Sequence, residues 1–278
     1  MNTYLSWVLS NSDIKLDSCL SGWVSRAQRA IGANYTPQHA EWMKKMQFGQ
    51  TLQSGKLISR YKRFLADVAM DDGSQFTVHC PNSGSMLGCK EPGSPVLISL
   101  ADNPKRKYPH TLEMVRVGTT WVGINTARTN GLVAEAIRSG VVAELAGIET
   151  IRPEVKVSDK SRLDFLLTRG EEKIYVEVKN CSLALDRVAM FPDAVTTRGA
   201  KHLAELLTLR QTGCRAVVFF CVQREDVDYF APAAHIDPVY AQALREVAAQ
   251  GVEVLAYGAV LSPEAITIVR QLPVRLGS

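Results

Sequence analysis

Residues 162–179 read RLDFLLTRGEEKIYVEVK. Two apolar runs flank a polar turn, which is the pattern of a β-hairpin. Side chains alternate between the two faces of a strand, so Glu177 and Lys179 share one face of the second run. Asp164 lies inside the first run, where a charge is costly to bury unless it is paired or bound to a metal. If Asp164 points to the same face, the hairpin brings Asp164, Glu177 and Lys179 together.

This combination of residue types indicates phosphodiester chemistry. Two neighbouring carboxylates bind a hard divalent cation, because Mg2+ and Mn2+ prefer oxygen ligands. Such a cation stabilises the extra negative charge of the transition state and lowers the pKa of its bound water, which a lysine can orient. We therefore predict a metal-dependent nuclease that uses Mg2+ or Mn2+, with Asp164, Glu177 and Lys179 as catalytic residues. The alternative is an acid-x-base pair on the solvated face of an edge strand.

A third carboxylate ligand is expected on the segment GLVAEAI, residues 131–137. Its apolar residues recur at helical spacing, which would dock a helix on the sheet with Glu135 beside the buried stripe. Glu135 is therefore the third predicted metal ligand, after Asp164 and Glu177, and Glu144 is its competitor. The alternative for Glu135 is an ordinary surface position in the helix.

Basic charge is concentrated early in the chain, whose formal net charge is +4. Residues 56–110 contain eight Lys or Arg and five acids, a net +3, whereas residues 111–278 contain 19 and 20, a net −1. Aromatic residues interleave with the early basic ones, as in grooves that bind phosphates and stack bases. The alternative is a strand edge protected by lysine. The predicted nucleic-acid contacts in this part of the chain are Arg60, Lys62, Arg63, Lys105, Arg106 and Lys107.

A later segment adds a second basic group. Residues 201–210 are predicted to be helical, and Arg198, Lys201 and His202 stand at three- and four-residue offsets, which allow one shared face. This face is predicted to bind phosphates, with a solvated helix surface as the alternative. The loop at residues 82–88 offers another anion site through its backbone N–H groups. It lacks the Gly-Lys-Ser/Thr ending of a phosphate-binding loop, so a tight turn is favoured there.

The order of elements predicts an α+β or mixed fold. Short β-rich runs separated by turn residues predict a small barrel over residues 51–126, and barrels of the OB type bind oligonucleotides across one face. From residue 127 to residue 278, helices and strands alternate, which predicts an α/β domain with a mixed sheet flanked by helices. Residues 1–50 are expected to form a weakly docked extension, with short helices near residues 18–30 and 36–46.

The six cysteines contain no Cys-x-x-Cys pair, and several lie inside apolar runs. They are therefore expected to be small core residues, and a structural zinc site is not expected. His79, Cys80 and Cys89 would have to converge from a single loop to bind a metal, which disfavours that alternative.

Bulk properties exclude some classes of protein. With 278 residues, of which 46% are hydrophobic, the chain can bury the cores of two modest domains. It contains no run of about 18 apolar residues and no secretory signal pattern. We therefore expect a cytoplasmic protein with no membrane partner, and leave its oligomeric state open.

Three further stretches resemble the sugar fermentation stimulation protein family, SfsA. They are LISRYKRFLAD at residues 57–67, HCPNSGSM at residues 79–86 and FPDAVT at residues 191–196, and the resemblance extends from about residue 55 to the C-terminus. The resemblance implies an OB-like barrel followed by a domain of the PD-(D/E)xK nuclease type. It also implies non-specific DNA binding and a proposed regulatory role in maltose metabolism.

Two functions follow from these patterns. The first is a nuclease that acts on DNA phosphodiesters and binds DNA largely independently of sequence. The second is a non-specific DNA-binding regulator of sugar or maltose metabolism that does not turn over. An enzyme acting directly on sugars has no support in the sequence.

Overall fold

The computed structural model describes residues 48–158 and 161–277. The helices expected near residues 18–30 and 36–46 lie outside the described residues, as does nearly all of the expected N-terminal extension. The described residues begin just before the first strand of the barrel.

The first part of the chain forms a closed barrel, as predicted. Its strands are β1 (Gln53–Tyr61), β2 (Leu65–Met70), β3 (Gln75–His79), β4 (Pro95–Leu100), β5 (His110–Val117) and β6 (Thr120–Gly123). They pair in the order β3-β2-β1-β4-β5-β6, and an additional pairing of β3 with β5 closes the first five strands into the barrel. Alternate residues such as Ala66, Val68 and Val78 fill its interior, as expected for strands with one buried face.

The second part forms a mixed sheet. Its elements are α1 (Thr129–Arg138), β7 (Thr150–Ser158), β8 (Ser161–Arg169), β9 (Glu172–Cys181), β10 (Leu183–Leu185), β11 (Val188–Phe191), α2 (Thr197–Gln211), β12 (Arg215–Val222), β13 (Tyr229–Pro232), α3 (Pro238–Ala249), β14 (Glu253–Leu261) and β15 (Ile266–Gln271). The main sheet has the order β15-β14-β12-β9-β8-β7, and β10, β11 and β13 form a small second sheet. Strand β12 runs parallel to β9 and β14, whereas the outer pairs are antiparallel.

Helices cover both faces of the main sheet, because its central strands are apolar on both sides. Val217 and Phe219 of β12 belong to the core that includes α1, whereas Val218 and Phe220 belong to the core that includes α2 and α3. Helix α2 begins after Thr196, whose hydroxyl accepts a hydrogen bond from an N–H group of the first turn. This is a common N-terminal cap. The predicted mixed sheet flanked by helices is therefore confirmed.

A buried ionic cluster ties the barrel to the start of α1. Glu113 of β5 is 1% exposed and accepts hydrogen bonds from Arg128 Nε at 2.6 Å and Nη2 at 2.8 Å. Ser99 and Asn125 donate to the same carboxylate at 2.6 and 2.9 Å. A buried carboxylate with this many donors fixes the connection between the two parts of the chain.

Among the helices of the described residues, none has the length and apolar character of a membrane span.

Candidate active site

The predicted hairpin of β8 and β9 forms, and its strands separate at the predicted carboxylates. The ladder runs from Arg169 opposite Glu172 to Phe165 opposite Val176, and it ends there. The next residues are Asp164 on β8 and Glu177 on β9. We call this point the β8–β9 fork, defined by Asp164, Glu177, Val178 and Lys179.

The side chain of Asp164, a residue of β8, contacts both β9 and α1. Its carboxylate accepts hydrogen bonds from the Val178 N–H at 2.8 Å and from Asn130 Nδ2 of α1 at 2.9 Å. Burial raises the pKa of Asp164 above its ordinary value, and the negative charge of Glu177 raises it further. The two hydrogen bonds oppose this shift without cancelling it. Asp164 is therefore a carboxylate whose negative charge is incompletely compensated.

Glu177 has the opposite electrostatic balance. It is buried, and its Oε1 accepts hydrogen bonds from Lys179 Nζ at 2.6 Å and from His202 Nδ1. Burial alone would raise the pKa of Glu177, but the hydrogen bond from His202 and the charge of Lys179 outweigh it and lower this pKa. The pKa values of these two neighbouring carboxylates are thus shifted in opposite directions. This pattern is found where one group acts as an acid and the other as a base.

His202 is a residue whose position the sequence analysis got wrong. It was predicted to share a phosphate-binding surface with Arg198 and Lys201, yet it is buried at 5% exposure and contacts Glu177. Helical spacing permits a shared face but does not fix which face packs on the sheet. Each residue turns about 100° around the helix, so His202 points inward while the adjacent Lys201 is exposed. Arg198 is also exposed, with its Nε 3.5 Å from His202 Nε2.

The two candidates for the third metal ligand differ in position. Glu135 is half-buried on α1, one and a half turns after Asn130. Glu144 accepts hydrogen bonds from Tyr257 Oη and Gln271 Nε2, each at 2.5 Å. Its carboxylate is therefore bonded to side chains of β14 and β15. Within the described residues, no three His, Cys, Asp or Glu side chains form a cluster that could hold a metal ion. The predicted set of three ligands is therefore not assembled there.

The donor chemistry of the fork nevertheless fits a hard divalent cation. Asp164 and Glu177 supply carboxylate oxygens, the ligands that Mg2+ and Mn2+ prefer. The raised pKa of Asp164 marks an excess of negative charge that a cation would neutralise. His79, Cys80 and Cys89 form no such group among the described residues, and burial raises the pKa of both thiols.

A cavity of about 330 Å³ separates the barrel from the second domain next to the fork. Arg63 and residues 82–84 line it from the barrel, and Lys179 and residues 190–196 line it from the second domain. Lys179 therefore contacts Glu177 and also forms part of the cavity wall.

Arg60 holds the loop that forms one wall of this cavity. Its Nη2 lies 2.8 Å from each of the carbonyl oxygens of Arg63, Asn82 and Gly84. The same guanidinium also donates to the Ser85 carbonyl at 3.4 Å. The predicted phosphate contact of Arg60 was therefore wrong, because its guanidinium instead donates hydrogen bonds to these backbone carbonyl groups.

Several N–H groups of the same loop are hydrogen-bonded within the protein. The Gly84 N–H donates to Asn82 Oδ1 at 2.9 Å, and the Met86 N–H donates to the Asp193 carboxylate at 2.8 Å. These internal bonds support the tight-turn alternative over an anion site at residues 82–88.

The other basic residues predicted in the barrel lie in two loops. Lys62 and Arg63 occupy the turn between β1 and β2, where both have positive φ angles, 46° and 61°. Lys105, Arg106 and Lys107 lie between β4 and β5, and the Arg106 guanidinium donates to Thr111 Oγ1 at 3.1 Å. Among these residues the exposed ones are Lys62, Arg63, Lys105 and Lys107.

Asn130 and His202 are the residues at the fork whose roles sequence reasoning missed. Asn130 opens α1 without any charge that would mark it, and His202 was assigned to the surface. The only usable signal was helical phase: His202 precedes Leu206 by one turn, and Leu206 is an obvious core residue.

Comparisons with known proteins agree with this architecture. The family model described as the SfsA N-terminal OB domain matches residues 58–124, and the model described as the sugar fermentation stimulation protein RE domain matches residues 127–265. The chain is 53% identical over 231 residues to a sugar fermentation stimulation protein homolog of Desulfotalea psychrophila, covering 83% of this chain and 95% of the relative. It is 54% identical over 226 residues to the homolog of Geobacter sulfurreducens, covering 81% and 97%.

A solved structure has the same architecture. The structure of Pyrococcus furiosus SfsA in complex with Ca2+ matches with a TM-score of 0.76 and 28% identity, covering 83% of this chain and 98% of that one. The fold and the matches together define a protein with an OB-type barrel followed by a mixed-sheet domain. The chain belongs to the SfsA family.

Proposed function

We propose that this protein is a metal-dependent nuclease that hydrolyses DNA phosphodiesters. The observation that carries the proposal is the fork, where Asp164 and Glu177 lie at the separation of β8 and β9, and Lys179 Nζ is 2.6 Å from Glu177 Oε1. The spacing of these residues follows the PD-(D/E)xK pattern. The Ca2+ named with the Pyrococcus furiosus relative supports a divalent ion for this chain.

Asp164 and Glu177 would hold Mg2+ or Mn2+, which supplies charge stabilisation and an acidified water when bound. Asn130 and the Val178 N–H fix the orientation of Asp164, and His202 fixes that of Glu177. These contacts reduce the reorganisation needed to form the site, as outer partners of metal ligands do. Glu135 remains a proposed third ligand.

Lys179 is the proposed group that acts on the water. Its ammonium is held beside Glu177 and lines the cavity that would admit the substrate. A lysine there can donate a hydrogen bond that orients the attacking water, or it can stabilise charge developing on the phosphate.

Binding to DNA is proposed to rest on exposed basic residues, since phosphate contacts carry no sequence information. The residues proposed for this role are Lys62, Arg63, Lys105, Lys107, Arg198 and Lys201, with Arg106 beside them. A location in the cytoplasm remains part of the proposal.

Calorimetric titration of Mn2+ tests the metal site directly. Asp164→Asn and Glu177→Gln each remove one anionic ligand, so each should weaken Mn2+ binding by about tenfold or more. The matched control is Glu171→Gln, which removes an exposed carboxylate from the turn of the same hairpin and should bind Mn2+ like the parent. If the two fork variants also bind like the parent, the proposed site is wrong.

The second candidate function is a DNA-binding regulator without turnover. Contacts with Lys179 and His202 already stabilise the negative charge of Glu177 without a metal. This observation favours the second candidate, because the fork does not need a bound metal to be stable. Incubation of labelled single-stranded, duplex and branched DNA with Mn2+, Mg2+ or EDTA separates the two functions. A regulator would bind DNA and yield no metal-dependent product.

A further inference from the structure

We propose that the cavity between the barrel and the second domain admits one strand of nucleic acid, so that the substrate is a single strand or an unpaired end rather than an intact duplex. This inference rests on the proposed nuclease function, because it places the substrate strand against Lys179. It specifies the substrate class of the fork, which neither the family nor the carboxylate pattern supplies.

The size of the cavity limits what can reach Lys179. Its volume of about 330 Å³ is near the lower end of the range for pockets that hold one small-molecule ligand, roughly 300–1,000 Å³. One base with its sugar and phosphate is a ligand of that size. A base pair with both of its backbones is much larger, so a duplex would have to unpair at this point.

Hydrogen bonds between the two domains prevent the cavity from widening easily. The Asp193 carboxylate accepts the Met86 N–H at 2.8 Å, and the Asp193 carbonyl accepts a hydrogen bond from Ser85 Oγ. Arg60 holds the carbonyl groups of the same loop from behind. Opening the cavity for a duplex would break these partly buried hydrogen bonds, which costs the stability that they contribute.

The walls are also tight at the backbone. A side chain at Gly84 would lie 2.7 and 2.8 Å from the two carboxylate oxygens of Asp193. The loop and the 190–196 segment are thus packed against each other at this contact. The Asp193 carboxylate accepts a hydrogen bond from the Met86 N–H of the loop.

The chemistry of the lining suits a single strand. Arg63 is exposed, and one of its N–H groups donates to the Ser83 carbonyl at 3.2 Å, which leaves other donors of the guanidinium for a phosphate. Val195 lines the cavity and is 71% exposed, so it offers an apolar surface to a base. Charge for the backbone and an apolar surface for the base are the two components of single-strand binding.

Fluorescence anisotropy in EDTA, where no cleavage is proposed to occur, tests this inference. The probes are one labelled single-stranded oligonucleotide and the blunt duplex of the same sequence. Val195→Glu should place a negative charge at the mouth of the cavity, which repels the phosphates of an entering strand and weakens single-strand binding by about tenfold, with a smaller effect on the duplex. The matched control is Val239→Glu on α3, because Val239 is 70% exposed and does not line the cavity.

Arg63→Ala provides a second variant, which removes a positive charge from the cavity lining. It should weaken single-strand binding more than Lys56→Ala, which removes an exposed positive charge of β1 outside the cavity. Equal losses for the two variants, or a duplex that binds as tightly as the single strand, would overturn the inference and leave the nuclease proposal standing. If neither probe binds to the parent protein, the proposed function itself fails.

Discussion

The loop held by Arg60 and the β8–β9 fork both contain charges that are at least partly buried, but the surrounding groups differ. In the loop, one cation is bound by neutral carbonyl groups of Arg63, Asn82 and Gly84. In the fork, two carboxylates lie near each other, and Glu177 contacts both Lys179 Nζ and His202 Nδ1, whereas Asp164 accepts hydrogen bonds from two neutral donors. A charge fixed by neutral dipoles stabilises a loop, whereas neighbouring charges with opposite pKa shifts beside a cavity indicate a functional site.

Replacement of Lys179 by Ala should have the largest effect and should separate catalysis from binding. Metal affinity should persist because Asp164 and Glu177 remain, while cleavage should fall by about 10²–10⁴-fold if the ammonium assists the water. Single-turnover cleavage with Mn2+ measures the rate. The matched control is Lys173→Ala at the exposed start of β9, and an unchanged rate in Lys179→Ala would remove Lys179 from the mechanism.

Glu177→Gln should destabilise the metal-free protein, because Lys179 would lose its buried counter-charge. The expected loss is about 3 kcal/mol at neutral pH, as for a buried ion pair that loses one partner. Because the folded protein lowers the pKa of Glu177, the wild-type advantage exists above the ordinary pKa of 4.5 and is lost as the pH falls through the lowered value. Urea denaturation in EDTA at several pH values measures this, with Glu171→Gln as the control.

Arg60→Ala should destabilise the barrel loop by about 2 kcal/mol, since the carbonyl groups that Arg60 binds would lose a charged donor. The adjacent Lys62 is exposed, so Lys62→Ala should change stability by less than about 0.5 kcal/mol. Chemical denaturation compares the two variants. Equal stabilities would mean that Arg60 does not hold the loop, and its predicted role in phosphate binding would return.

Asp164→Asn should have the smallest effect, and its sign should be opposite to that of Glu177→Gln. Folding raises the pKa of Asp164, so its ionisation costs stability as the pH rises from the ordinary value of 3.8 through the raised one. In EDTA at neutral pH, the variant should therefore be more stable than the parent, by less than the loss expected for Glu177→Gln.

This difference should disappear below pH 3.8, where the carboxyl is protonated in both states. The Asn130 amide can turn to accept a hydrogen bond from the new side chain, so no buried donor is left unpaired. A variant that is less stable than the parent throughout this pH range would show that the negative charge of Asp164 is compensated in the folded protein.

The opposite signs expected for these two variants are themselves a product of the structure. From the sequence, the two carboxylates are expected to repel each other, so each variant is expected to be at least as stable as the parent in the absence of metal. His202 changes this expectation for Glu177, because it adds a second hydrogen-bond donor on Oε1.

The sequence by itself determined the β8–β9 hairpin, the division into a barrel and a mixed-sheet domain, and the placement of Asp164 and Glu177 on adjacent strands. Alternation and turn residues are local, so they can be read without knowledge of the fold. Tertiary structure alone decided that Arg60 binds a loop, that His202 faces Glu177, and that two domains enclose a cavity beside Lys179. These contacts join residues about 20 or more positions apart, and they depend on which helix face packs on the sheet, which local patterns leave open.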